Sequence, residues 1–184
     1  AIRKMVDAKD ANTKDHSERV AYFGYRLAKE MAKPEAFCDR IRLAGLFHDI
    51  GKIAVPDDIL LSENKFTDLQ YEVMKKHPEK GYEILSTFSA FMEIAPIVKY
   101  HHERVDGTGY PQGIKGDEIP EESRIISVVD SFDAMTSDRA YRPGIPFDKA
   151  IDELRRVAGQ QLDERVVASF VEVLRSDELA AMAS

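Results

Sequence analysis

Residues 104–120 set the first limit on what this chain can fold into. Gly107, Gly109, Gly113 and Gly116 fall there together with Pro111 and Pro120, and no long helix survives that density of breakers. A loop of this length inside a compact domain is either functional or disordered. Tyr110 and Pro111 amid the glycines favour an ordered, packed loop. On either side, apolar residues recur at helical spacing. Val20, Phe23, Leu27 and Met31 form one stripe; Phe37, Ile41, Ala44 and Phe47 form the next, with Pro34 ending the first helix and starting the second. No repeat, low-complexity segment or convincing strand breaks the pattern.

Local signals place the other helix ends. A short helix is expected over 1–9. Asp15, with Glu18 three residues on, reads as the N-cap of a helix running to about Lys33. Thr67 and Gln70 form a capping-box pattern that opens a helix through Lys75, and His77 lies at its end, held at a junction by Pro78. Further helices are expected over 121–136, 147–157 and 163–174, with a frayed tail over 176–184. The whole reads as one domain over 1–175. Because the chain starts in mid-pattern without an initiator Met, it is expected to be excised from a longer protein.

Composition bounds the function more loosely. The chain has 184 residues, of which 43% are hydrophobic, enough for a real core. A net charge of -7 argues against broad nucleic-acid or anionic-membrane binding, so neither DNA nor membrane contact is expected. It leaves room for a small anionic ligand. The single cysteine, Cys38, excludes an internal disulfide and fits a reducing compartment. Its place in an amphipathic helix suits a buried structural thiol. There is no apolar run long enough for a membrane span and no visible signal peptide, so a cytoplasmic location is expected.

The chemistry concentrates at Leu46-Phe47-His48-Asp49-Ile50-Gly51-Lys52. Adjacent helical residues point about 100° apart, so His48 and Asp49 can reach one ion from two directions while the second carboxylate oxygen reaches another. Gly51 reads as a helix stop through the left-handed region, and Lys52 just beyond is placed to meet an anion. By itself the stretch is more readily a polar helix end with a chance His-Asp pair. His16, His48, His77, His101 and His102, however, all lie at or near helix ends or in such pairs, and Asp130 interrupts an apolar run, which is costly unless the carboxylate is paired or metal-bound. With Asp49 these make seven nitrogen and oxygen donors, a set that suits Fe, Mn, Zn, Ni or Co. Seven are too many for one ion that keeps open positions. Two ions bridged by a carboxylate, about 3.5–4 Å apart, fit better and would hydrolyse a phosphate ester with a hydroxide made from water.

The same residues carry a family resemblance. His48-Asp49 with Gly51-Lys52 resembles the signature of the HD phosphohydrolase superfamily. His101-His102-Glu103-Arg104-Val105-Asp106-Gly107-Thr108-Gly109-Tyr110-Pro111 resembles that of its HD-GYP branch. The segments at His16, at His77-Pro78 and from Asp130 to Arg142 match in order, so the likeness covers nearly the whole chain. It implies an all-α HD-domain helical bundle with an ordered Gly/Pro-rich loop, and a metal-dependent phosphodiesterase opening cyclic di-GMP to pGpG and on to GMP, or else 3′,3′-cyclic GMP-AMP. It implies that Asp49 bridges two divalent transition metals, with Fe or Mn first and Ni, Co or Zn as further options. His16, His48 and Asp130 would complete one position; His77, His101 and His102 would complete the other. Lys52 would lie over the scissile phosphate, Arg139 and Arg142 would grip the second phosphate, and Gly109-Tyr110-Pro111 would shape the site. The loop is also implied as a docking surface for diguanylate cyclases. A homodimer is an admissible assembly, and a sensor or receiver domain is expected upstream. One position departs from the pattern: Asn12 stands where some relatives carry a Glu for a third metal, which implies two metals and cleavage that stalls at pGpG. The rivals are a superfamily enzyme acting on other nucleotides, a non-catalytic cyclic-dinucleotide sensor or docking module, and a purely structural bundle.

Overall fold

The computed structural model describes residues 13–62, 64–138 and 143–182. The expected helix over 1–9, Asn12, Arg139 and Arg142 lie outside them. Helix α1 (Thr13–Glu30) packs along α2 (Glu35–Phe47), and the short link between them makes the two run in opposite directions. The link is a C-terminal helix cap. Lys33 N–H donates to Ala28 O and Ala32 N–H to Lys29 O, with Ala32 in the left-handed region at φ 54°. Pro34 then caps α2 as expected.

Beyond α2 the chain makes a 3₁₀ turn (Ile50–Ala54) and the short helices α3 (Asp57–Leu60) and α4 (Asp68–Met74). Helices α5 (His77–Ser86) and α6 (Ala95–Lys99) follow. After the glycine-rich loop come α7 (Glu121–Thr136), α8 (Phe147–Val157) and α9 (Glu164–Met182). Among the described residues the only extended pairing is an isolated bridge between Ala158 and Leu162. The fold is all-α.

The core lies where α1, α2, α7, α8 and α9 meet. Leu27, Ile41, Ile125, Ile126, Leu154 and Phe170 are fully buried there. Phe23, Phe132, Phe147 and Phe170 interlock edge to face, the geometry aromatic quadrupoles prefer. Cys38 is buried in this core, and burial pushes its thiol pKa up, as a structural thiol requires. No helix among the described residues is long and apolar enough to cross a membrane.

Four helix ends differ from expectation. Helix α1 is already helical at Thr13, the first described residue, so Asp15 lies inside the helix instead of capping it, and α1 ends at Glu30. His77 opens α5 instead of closing α4. Pro78 is tolerated there because first-turn N–H groups have no partner to lose. Helix α9 runs on to Met182, past the expected end at 174. The Thr67–Gln70 capping box is formed in both directions.

Candidate metal centre

The histidines gather at helix ends. His48 is the C-cap of α2 and Asp49 follows it into the 3₁₀ turn; His77 opens α5, and His101 and His102 follow α6. His16 comes from the first turn of α1 and Asp130 from the middle of α7. His48, Asp49, His77 and His101 are each less than 5% exposed.

These donors form two groups able to hold a metal ion: His16, His48 and Asp130, and His77, His101 and His102. Asp49 stands between them. Its Oδ1 lies 3.2 Å from His77 Nε2, and its Oδ2 lies 3.5 Å from His48 Nε2 and 3.9 Å from His16 Nε2. Asp130 Oδ1 is 3.3 Å from His16 Nε2 and 3.9 Å from His48 Nε2. The two groups are the ones that the family resemblance implies.

The tautomers suit a cation. His48 Nδ1 donates to Gly45 O at 2.7 Å, His77 Nδ1 to Met74 O at 2.8 Å and His101 Nδ1 to Val98 O at 2.6 Å. Each carbonyl belongs to the last turn of a helix, where it has no intrahelical partner. A ring that donates from Nδ1 keeps its lone pair on Nε2. The Nε2 atoms of His77 and His101 face each other 3.4 Å apart, and both point into the centre.

Electrostatics agree for three of the imidazoles, those of His48, His101 and His102. Burial lowers the pKa of His48, takes that of His101 well below the usual value, and takes His102 down to about 3 with His77 adding to the effect. All three are neutral at pH 7, as ligands must be. Burial alone would raise Asp49, but Lys52, His48 and His77 outweigh it and hold the carboxyl well below the usual range. Asp130 is likewise held down by His16 against its burial. His16 goes the other way: burial opposes charge, yet Asp130 and Asp133 raise its pKa to about 10.

Lys52 Nζ meets Asp49 Oδ2 at 2.6 Å, and its side chain is 22% exposed, so it borders both the centre and solvent. Gly51 does not act as a left-handed helix stop. It lies inside the 3₁₀ turn without a positive φ, and a Cβ there would fall 1.8 Å from His77 O and 2.5 Å from Gly81 N. What it provides is the close approach of this turn to α5, which brings Asp49 to His77.

The glycine-rich loop is ordered. Val105 and Asp106 N–H groups donate to Gln161 and Gln160 carbonyls, and Asp106 accepts from Arg104 and from Thr108. Gly109 passes so close to Glu103 and Arg104 that a Cβ would fall 2.4 Å from Arg104 N. Tyr110 follows a hydrogen bond from its N–H to His102 O, joins Pro111 through a cis peptide, and lays its ring 5.0 Å from that of His102 at 30°. Lys75 sits 5.9 Å above the Tyr110 ring.

Four supporting residues had no role assigned from the sequence. Glu103 Oε1 accepts the N–H groups of Gln112 and Gly113 and anchors the loop. Asp133, Arg19 and Ser137 form a cluster behind His16. Spacing offered a signal for two of them. Arg19 is one turn from His16, and Asp133 one turn from Asp130, so each shares a face with a predicted ligand.

Comparison with known proteins agrees with this architecture. A family model described as HD domain matches residues 1–166. A cyclic di-GMP phosphodiesterase of Thermotoga maritima is 40% identical over 174 residues, covering 94% of this chain and 47% of the relative. The 3′3′-cGAMP-specific phosphodiesterase 3 of Vibrio cholerae is 37% identical over 174 residues, covering 95% and 38%. The chain thus spans less than half the length of these curated relatives. Among solved structures, the HD domain of the L. monocytogenes phosphodiesterase PgpH superposes with a TM-score of 0.68 at 18% identity, covering 100% of this chain and 99% of that one. Matched family and shared helical fold together make this chain a member of the HD-domain family.

Proposed function

We propose that this domain is a metal-dependent phosphodiesterase that opens cyclic di-GMP to pGpG through two divalent ions bridged by Asp49. The observation that carries the reading is the division of one buried carboxylate between two donor groups: Asp49 Oδ1 faces His77, and Oδ2 faces His48 and His16. His16, His48 and Asp130 would hold one ion; His77, His101 and His102 would hold the other. The all-nitrogen-and-oxygen donor set suits Fe or Mn, with Ni, Co and Zn as alternatives. Ions bound there would supply Lewis-acid stabilisation of phosphate charge and lower the pKa of water.

The chain's own groups do the rest. Asp49, Asp130 and the neutral imidazoles of His48, His101 and His102 are in the protonation states that ligation needs. Lys52, bordering both the centre and solvent, meets the anionic phosphate and stabilises the charge that builds on it. Hydrolysis places the hydroxyl of water on phosphorus and a proton on the departing ribose oxygen, and the Lys52 ammonium is a group that could supply that proton. Tyr110, packed on His102, walls the site with Gly109 at its bend. Arg139 and Arg142 are assigned to the second phosphate and Asn12 to the absence of a third metal, on sequence grounds. The cytoplasmic location and a diguanylate cyclase docking on the glycine-rich loop belong to the same reading.

A second substrate is supported by a specific observation, the 37% identity to a relative named for 3′3′-cGAMP. The test is product analysis after incubating each dinucleotide with protein reconstituted anaerobically with Fe(II) or Mn(II), with metal content measured in parallel. pGpG at about two metals per chain is the expected result. Loaded protein that binds cyclic di-GMP and releases nothing would overturn it in favour of a sensor.

A further inference from the structure

Three of the four imidazoles whose Nδ1 partners are identified are steered in the same way, by a carbonyl at the C-terminal end of a helix: Gly45 for His48, Met74 for His77 and Val98 for His101. His16 cannot use that device. It stands in the first turn of α1, where the unpaired backbone groups are N–H donors and not carbonyls. Its Nδ1 donates instead to a carboxylate from another helix, Asp133 Oδ2, at 2.7 Å. That carboxylate is 3% exposed and held from behind. Arg19 grips both of its oxygens through Nε and Nη2, and the same Nη2 donates to Ser137 Oγ at 2.9 Å, while Ser137 donates on to Asp133 Oδ2 at 3.3 Å. The arrangement is reciprocal. Helix α1 contributes His16 and, one turn on, Arg19; α7 contributes Asp130 and, one turn on, Asp133.

We infer that Asp133, clamped by Arg19, is a positioning residue that makes the His16 metal position chemically distinct from the other and tighter for a divalent ion. The inference rests on the two-metal reading above. A carboxylate behind an imidazole fixes its orientation and raises its basicity toward a metal, whereas a neutral carbonyl does the first and less of the second. The His16 position also draws on Asp130 besides one oxygen of Asp49, while the His77 position has one oxygen of Asp49 and neutral or carbonyl-anchored imidazoles. Anionic donors and a carboxylate-backed ring therefore collect on one side of Asp49. Loading should be ordered, with the His16 position filling first.

The experiment is titration of the metal-free domain with Mn(II) alone, following free Mn(II) by electron paramagnetic resonance, for the unchanged protein, Asp133→Asn and Arg19→Gln. The unchanged protein should show two sites of unequal affinity. Asp133→Asn should weaken the tighter one by about 10- to 100-fold and leave the other in place. Arg19→Gln removes a side chain that is 41% exposed and leaves the carboxylate, so it should shift the same site in the same direction by less, and it serves if Asp133→Asn fails to fold. Two sites of unchanged affinity in both variants, or an equal fall at both sites, would overturn the inference alone. An unchanged protein that binds fewer than two ions would overturn the two-metal reading and the inference with it.

Discussion

Replacing Gly51 by Ala tests how the centre is assembled. Gly51 has no positive φ, so the backbone tolerates a side chain, and lower entropy in the unfolded chain would by itself stabilise the variant by about 0.4–1 kcal/mol. The added methyl has no room. It would sit 1.8 Å from His77 O, and both neighbours inside 2.6 Å, His77 O and Gly81 N, are backbone atoms in the first turn of α5 that cannot rotate away. Carbon–oxygen contacts settle at roughly 3.3 Å, so the 3₁₀ turn and α5 must part by about 1.5 Å (3.3 minus 1.8) along that line. Overpacking of this kind costs up to about 3 kcal/mol, and a fully backbone-lined site belongs at the upper end. Net of the entropic gain the cost is about 2–2.6 kcal/mol, and at about 2–4 °C per kcal/mol for a chain of this size Tm should fall by about 4–10 °C. The same movement draws His77 away from Asp49, now 3.2 Å apart, and a misplacement of about 1 Å can cost about 100-fold in turnover. Thermal unfolding of the metal-free protein and cyclic di-GMP turnover of the Mn(II)-loaded protein read the two effects. A variant as stable as the parent, or more stable, with unchanged turnover would refute the close-approach argument.

Further outcomes follow from other residues. Asp49→Ala should empty both metal positions, because each of its oxygens faces a different donor group; full occupancy by metal analysis would contradict the bridging role. Lys52→Ala should keep both metals and slow turnover by about 100-fold, and equal turnover at saturating substrate would remove Lys52 from the mechanism. Ala32→Gly should raise stability by about 1 kcal/mol, since Ala32 holds φ 54° at a cost glycine does not bear; an unmoved urea midpoint would argue against it. Asp163 is kept below its usual pKa: burial works against this, but the N–H groups of Val166 and Arg165 and the Arg124 guanidinium outweigh it. A depressed folded pKa means that the stabilisation is present above the unfolded value near roughly pH 3.9 and is lost as pH falls through the folded one. Asp163→Asn should therefore flatten the acid limb of a urea-midpoint profile, and an unchanged limb would count against this.

The helices and the donors were legible along the chain because both leave local marks. Apolar periodicity, Pro34 and the Thr67–Gln70 box mark helices and their ends through backbone chemistry that acts within a few residues. His16, His48, Asp49, His77, His101, His102 and Asp130 could be picked out only as a set, by their recurrence at helix ends, in pairs or inside an apolar run, and their division into two groups came with the family resemblance. Helix α7 was placed to the residue, whereas α1 and α9 were misplaced at their ends, where competing caps lie within about a kcal/mol of one another.

What only the tertiary structure decided depends on contacts between segments far apart in sequence. Gly51 reads as a helix stop in isolation, and the reason for glycine there is the carbonyl of His77 pressed against it. Asp133 and Arg19 look like surface charges until α1 and α7 pack, 114 residues apart, and place the pair behind His16. Glu103 looks like part of a polar run until the loop folds back and gives its carboxylate two N–H groups. Sequence by itself determined which atoms could bind a metal, since that is a property of residue type. The structure decided which nitrogen of each ring points at the centre, because a tautomer is set by the partner on the far side of the ring, and that partner is supplied by the fold.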